Sequence, residues 1–316
     1  WEKEYGKEAA ETTFASRFAG LIRRSYEKTG KHAVILIDEY DKPLLETVDD
    51  EVLNKESRLL LKAFYEVLKQ CDRYIRFALL TGVTKFGKVS VFSDLNNLQD
   101  LSMDEEYQAL CGVTQDELET IFAEPIKQLA TKYKLSVEEA LCRLKERYDG
   151  YHFVENGIGI YNPFSLLNTF KRLQFGSYWF ETGTPTYLVE LLKQDNYRLP
   201  NLTKEVSTAD VLNCIDTASN NPIPVLYQSG YLTIKSFDEE FGEYRLGFPN
   251  KEVEEGFTRF LLPYYTGLRN PETPFSMGEF VRDLRSGRPE DFMQRMATLF
   301  ADTDYKIVGN SELYFQ

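Results

Sequence analysis

The segment Ala33-Val-Ile-Leu-Ile-Asp38-Glu39-Tyr40-Asp41 constrains the fold more than any other stretch of the chain. Five apolar residues run straight into a cluster of three acids. A continuous apolar run this short predicts a strand buried on both faces, as in parallel sheets. In open α/β sheets, ligands sit just past the carboxyl ends of such strands. Asp38 and Glu39 therefore stand where a Mg²⁺–nucleotide would be held, in the shape of a Walker B element. One carboxylate holds the metal and the next polarises an attacking water. A strand end capped by solvated acids has the same pattern, so the spacing alone leaves both readings open.

The 316 residues imply two or three domains, at roughly 100–200 residues each. A hydrophobic content of 42% with 14% aromatic residues is ample for a packed core. The net charge of −13 opposes nonspecific binding to DNA or anionic membrane, while leaving room for a local basic groove. No apolar run approaches the roughly 20 residues of a membrane span, and no signal-peptide core stands at the N-terminus. The four cysteines (Cys71, Cys111, Cys142, Cys214) form no C-x-x-C pair, and there are two histidines. Neither disulfides nor a zinc site are expected, which fits a reducing cytoplasm.

Residues 13–29 predict a helix with Phe14, Phe18, Leu21, Ile22 and Ser25 on one face and Gly30 at its end. The strand follows directly, an αβ step suited to a doubly wound sheet. Lys42-Pro43 stops its extension. Residues 52–70 carry a second apolar stripe of Leu53, Leu60, Leu61, Phe64, Val67 and Leu68. Tyr74-Ile-Arg-Phe-Ala-Leu-Leu-Thr81-Gly82 predicts a second buried strand. Thr81, at its tip, is placed for a sensor contact to a γ-phosphate or the attacking water; a plain Thr-Gly turn fits the spacing equally. Lys85 and Lys88 offer positive charge to phosphate or stay solvated.

Residues 90–101 predict an irregular loop packed on the sheet. Thr114-x-x-Glu117 and Ser136-x-x-Glu139 are capping boxes that open two helices. Leu118, Ile121, Phe122, Ile126 and Leu129 bury the first; Leu141, Leu144 and Tyr148 bury the second. Pro163 and Pro185 start two more, the latter over 186–194. A short helix at 210–217, strands at 225–235 and 243–249 joined by an acidic turn, and a helix capped by Asn250 suggest a winged-helix module. Its acidic tip argues against DNA and for an intramolecular packing role. Two further helices follow, with Ser276-x-x-Glu279 as a capping box and Pro289 near the start of the second.

Several of these segments resemble one family. They are Val34-Ile-Leu-Ile-Asp-Glu-Tyr-Asp-Lys-Pro-Leu-Leu45, Leu80-Thr-Gly-Val-Thr84, Lys88-Val-Ser-Val-Phe-Ser-Asp-Leu-Asn-Asn-Leu98, Tyr148-Asp-Gly-Tyr151, Tyr161-Asn-Pro-Phe-Ser165, Glu181-Thr-Gly-Thr-Pro185 and Gln228-Ser-Gly-Tyr-Leu232. In identity, order and spacing they resemble the bacterial AAA-ATPase-like proteins that carry a C-terminal PD-(D/E)XK nuclease-like domain. The resemblance implies an α/β fold: a P-loop NTPase-like parallel sheet (1–113, without its Walker A segment), a helical lid (114–204), a winged-helix-like module (205–270), and a helical connector with the first helix of the nuclease-like domain (271–316). It further implies ATP and Mg²⁺ as cofactors, Asp38 as the metal carboxylate, Glu39 as the base, Thr81 as the sensor and Lys85 as a phosphate contact. Members of the family often carry Arg at the position of Lys85.

No G-x-x-x-x-G-K-[ST] loop occurs in these residues, and no Asp…Glu-x-Lys pair follows Phe292. The expectation is therefore a piece of a larger Mg²⁺-dependent ATPase, unable to hydrolyse ATP without its phosphate loop. The alternative is a regulatory scaffold with a degenerate nucleotide site that controls an attached nuclease-like effector. Expected partners are a nucleotide and, through that effector, nucleic acid; no membrane is expected.

Overall fold

The computed structural model describes residues 1–47, 50–85, 91–92, 95, 97–181, 206–213, 221–266 and 273–301. The chain is mixed α/β, with a two-stranded parallel sheet, a three-stranded antiparallel sheet and many helices. It divides into two compact units, each discontinuous in sequence. The first combines Trp1–Cys111, Tyr151–Gly159 and Glu190–Gly247; the second combines Gly112–Gly150, Ile160–Val189 and Phe248–Gln316.

In the first unit, α1 (Phe14–Thr29) starts at a reciprocal cap. The Thr13 hydroxyl accepts from the Ser16 N–H, and the Ser16 hydroxyl accepts from the Thr13 N–H. Gly30 ends α1 with φ +69°, the left-handed conformation that suits glycine. Strand β1 (Ala33–Ile37) follows, then α2 (Glu51–Gln70), capped by Asp50, then β2 (Ile75–Leu80). The strands pair in parallel, Val34 opposite Phe77 and Ile37 opposite Leu80. The Phe18 and Phe64 rings stack at 4.6 Å between the two helices. Ile22, Val67 and Cys71 form a buried core against Ala33, Ile35 and Ile75 of the sheet.

That packing corrects the expectation of strands buried on both faces. Burial alternates along β1: Ala33, Ile35 and Ile37 are half-buried, while Val34 and Leu36 are exposed, Leu36 at 69%. Phe77 continues the exposed row on β2. Both helices cover one side, and an unbroken apolar run does not record which face is covered. Phe14, Leu53 and Leu60, expected on the buried stripes of α1 and α2, are likewise exposed. β1 ends at Ile37, ahead of Lys42-Pro43, which instead opens one helical turn, Lys42–Leu45.

The antiparallel sheet has strand order β3 (Val206–Ser207), β5 (Glu243–Gly247), β4 (Thr233–Asp238). The strand expected over 225–235 is in fact a helix, Ile223–Gln228, then a turn with Gly230 at φ +79°, then β4. Pro222 and Pro224 pre-set the first helical turn, so the helix is already under way at Val225. Of the helix expected over 210–217, the described part is one turn, Ala209–Leu212, ended by Asn213; residues 214–217 lie outside the described residues. Outside them too are the helix expected over 186–194, Thr182 to Pro185, Lys88, and residues 302–316.

In the second unit the capping boxes form as expected. Thr114 and Glu117 open α3 (Gln115–Ile121), and Ser136 and Glu139 open α5 (Val137–Tyr148). The single helix expected after Thr114 is broken at Phe122, where α4 (Ala123–Tyr133) begins. Pro125 has no N–H to bond the carbonyl of residue 121, and its ring crowds that carbonyl. Asn162 caps α6 (Pro163–Arg172) by accepting from the Ser165 N–H at 3.2 Å. Leu118, Ile126, Leu129, Leu144, Tyr148 and Leu166 make the core. The buried Tyr148 hydroxyl donates to the Gly176 carbonyl and accepts from Thr169 Oγ1, both at about 3 Å.

Asn250 caps α7 (Lys251–Thr266). Glu252, in its first turn, is fully buried and accepts from Ser165 Oγ (2.7 Å) and the Trp179 N–H (3.1 Å). Helix α8 (Thr273–Arg285) starts three residues before Ser276, so the expected capping box at Ser276 and Glu279 is not the helix start. Pro274, at the second helical position, seeds the turn earlier. Helix α9 (Pro289–Ala301) is tied to α8 by the buried Asp283, which pairs with Arg295 at 2.5 Å and with Arg288 at 3.1 Å. Among the described residues, no helix is long and apolar enough to cross a membrane.

Candidate functional site

The ladder between β1 and β2 continues past the last residue of each strand. The Thr81 N–H donates to the Ile37 carbonyl at 2.8 Å, and the Tyr40 N–H donates to the Thr81 carbonyl at 3.0 Å. These bonds set Asp38 and Thr81 side by side at the carboxyl ends of the strands. Thr81 Oγ1 donates to Asp38 Oδ1 at 2.6 Å, and the Glu39 N–H donates to the same oxygen at 3.0 Å. Among the described residues nothing donates to Asp38 Oδ2, and the side chain is exposed. A carboxylate oxygen without a donor at a strand tip is a hard ligand for a cation such as Mg²⁺.

Glu39 turns the chain out of β1. Its φ is +51°, a conformation that side chains other than glycine's adopt at a cost of about 1–2 kcal/mol. Its exposed carboxylate pairs with Lys42 Nζ at 2.9 Å, and that hydrogen bond raises the lysine's pKa.

Asp41, three residues after Asp38, points the other way. It is 1% exposed. Its Oδ2 accepts from the Thr84 N–H and from Thr84 Oγ1, each at 2.6 Å, and its Oδ1 accepts from the Val83 N–H at 3.3 Å. The Tyr40 hydroxyl donates to the Thr84 carbonyl at 2.9 Å, and the buried Tyr65 hydroxyl donates to the Tyr40 carbonyl at 3.2 Å. Burial, with the Asp41 charge nearby, pushes the Tyr65 phenol up to about 12.

Lys85 is committed elsewhere. Its Nζ forms an ion pair with Asp100, and its N–H donates to Gln228 Oε1 at 2.5 Å. Burial raises the Asp100 carboxyl; the hydrogen bonds from Lys85 and Ser102 outweigh it and hold the group below its ordinary range. Of the residues singled out in the sequence, Asp38 and Thr81 thus meet directly and Glu39 adjoins them, while Lys85 is held by Asp100. Asp41, Thr84, Asp100 and Gln228 are the residues that sequence reasoning passed over. Asp41 carried a signal, as the third member of the acid cluster; Asp100 and Gln228 join the loop only through the tertiary fold. Among the described residues, no group of three or more His, Cys, Asp or Glu side chains is arranged to hold a metal. A Mg²⁺ bound through one or two carboxylates and the substrate phosphates needs no such cage.

Residues 1–92, which span α1, β1, α2, β2 and the acid cluster, match the family model described as "Predicted AAA-ATPase". This segment is AAA-ATPase-like. A curated relative from Azotobacter chroococcum mcd 1, described as an uncharacterized protein in the vnfD 5′ region, is 38% identical over 252 residues. That match covers 79% of this chain and 46% of the relative, so the chain spans about half the length of the curated protein it matches. No solved structure matches the chain. The AAA-ATPase-like match ends just beyond Val91, so the candidate site, apart from Asp100 and Gln228, lies inside the matched residues.

Proposed function

We propose that the AAA-ATPase-like segment forms the metal and water end of a Mg²⁺–ATP site in a P-loop NTPase-like core, and that a Walker A loop outside these residues completes it. The observation that carries this reading is the 2.6 Å hydrogen bond from Thr81 Oγ1 to Asp38 Oδ1 at the carboxyl ends of two adjacent parallel strands. The bond orients one carboxylate oxygen and leaves the other open at the place where α/β sheets take their ligands. Mg²⁺, when bound with ATP, supplies Lewis-acid polarisation of the phosphate oxygens. Asp38 Oδ2 holds the metal or one of its waters. The Thr81 hydroxyl keeps Asp38 aligned. Glu39, once it releases Lys42, accepts a proton from water at its carboxylate.

A second reading, a regulatory scaffold with a degenerate site, is favoured by one observation. The expected phosphate cation, Lys85, is neutralised by Asp100. We assign no nucleic-acid role to the antiparallel sheet, whose β4–β5 hairpin carries Asp238, Glu239, Glu240 and Glu243 and repels phosphate.

Calorimetric titration of Mg²⁺–ATP into this chain, beside a form extended to include a Walker A loop, separates the two readings. On the ATPase reading only the extended form binds, and Asp38→Ala in it lowers hydrolysis by about 10²-fold or more. Absence of binding to either form makes the scaffold reading the better one. Hydrolysis that survives Asp38→Ala overturns the site assignment.

A further inference from the structure

We infer that Asp41 and Gln228 are positioning residues that pin the Thr81–Lys85 loop at successive points, so that the Thr81 hydroxyl is held against Asp38. Asp41 takes the donors of the loop that leaves β2. Its buried carboxylate takes two N–H donors and one O–H donor from Val83 and Thr84, and among the described residues no cation pairs with it. A buried carboxylate satisfied only by loop donors ties its charge to one loop conformation, because any other leaves it unpaired.

The seat is tight. A Cβ built on Gly82 would lie 2.5 Å from Asp41 Oδ1 and 2.7 Å from the Tyr40 ring. Asp41 also anchors the other strand exit: its carbonyl accepts from the Leu44 and Leu45 N–H groups of the turn after β1. One residue therefore joins the two strand tips from which Asp38 and Thr81 project. Gln228 fixes the far end of the same loop. Its Oε1 accepts from the Lys85 N–H, and its Nε2 donates to the Leu212 carbonyl at 2.7 Å. Through that amide the loop is bonded to the helical turns beside the antiparallel sheet. The acid cluster thus divides its labour, with Asp38 facing solvent and Asp41 holding the loop.

The consequence for hydrolysis rests on the nucleotide reading proposed above; the hold on the loop does not. Amide hydrogen exchange on this chain reads the hold directly. Asp41→Asn presents an NH₂ group to donors and is expected to speed exchange across Val83 and Thr84 by about tenfold or more. Gln228→Ala, a truncation at a half-buried site, is expected to speed Lys85 while leaving the core of α2 unchanged. Unchanged exchange in 81–85, or an equal rise in every segment with a lowered melting temperature, overturns the assignment.

In a form that includes a Walker A loop, Asp41→Asn is expected to lower kcat while KM for Mg²⁺–ATP holds. A loosened loop with unchanged kcat means that loop position does not matter to the chemistry and overturns the positioning role. If Asp38→Ala leaves hydrolysis intact, the nucleotide reading falls, and the exchange measurement still decides whether Asp41 and Gln228 hold the loop.

Discussion

Asp38, Asp41 and Glu252 are three carboxylates of similar intrinsic acidity in three different environments. Asp38 is exposed and shares one oxygen with Thr81. Asp41 is buried among loop donors. Glu252 is buried at the start of α7, where desolvation raises its pKa above 4.5, with the Ser165 and Trp179 hydrogen bonds opposing that rise. The raised value has a definite sign. Folding favours the protonated form of Glu252, so its contribution to stability is full below the unfolded value near 4.5 and is lost as pH rises through the higher folded value. Glu252→Gln keeps the shape, and the Ser165 hydroxyl can reverse to accept from the new amide. Urea unfolding from pH 4.5 upward is expected to show wild type losing stability relative to Glu252→Gln, with the difference levelling off above the raised pKa. Parallel curves for the two proteins would mean that Glu252 does not titrate within the folded unit.

At the scale of elements, caps and cores differ in cost and reach. Ser136 accepts from the Glu139 N–H at 3.1 Å, and Glu139 accepts in return from the Ser136 N–H at 2.7 Å. Ser136→Ala is expected to cost about 1 kcal/mol. Leu144, on the same helix, is fully buried in the core, and Leu144→Ala is expected to cost about 2–5 kcal/mol. Thermal unfolding of both variants checks the ordering, and a cap loss equal to the core loss would contradict it. The caps at Thr114, Ser136 and Asn250 were legible in the sequence because each depends on residues within three positions of one another. The break at Phe122 was legible in principle too, through Pro125, but the apolar period runs across it. The helix Ile223–Gln228 shows no helical period in the sequence because its residues are buried nearly all round, and a helix buried on every side has no period to read.

At the scale of the whole molecule, the face of the parallel sheet left exposed among the described residues has the clearest consequence. Val34, Leu36 and Phe77 form an exposed apolar row on two adjacent strands, and exposed rows of this kind promote association. The net charge of −13 opposes it through repulsion, and that repulsion is screened within about 10 Å at 0.1 M salt. The chain is therefore expected to bind an apolar dye such as ANS and to associate more as salt rises, and Leu36→Thr with Phe77→Thr is expected to reduce both. Light scattering across a salt series decides it; association that falls with salt would point to charge pairing instead.

The sequence by itself determined much of the local structure: two strands running into Asp38 and Thr81, the helices around them, the capping boxes at Thr114 and Ser136, and the resemblance that the AAA-ATPase-like match supports over residues 1–92. These follow from short-range patterns of period, cap and turn. Only the tertiary structure decided which face of β1 is covered, that Thr81 bonds Asp38, that Lys85 is claimed by Asp100, and that Asp41 and Gln228 grip the loop between them. Each of those depends on side chains brought together from 15 to 143 positions apart, as in Lys85 with Asp100 and Lys85 with Gln228. No local pattern encodes that distance; the packing of helices on one side of a two-stranded sheet does.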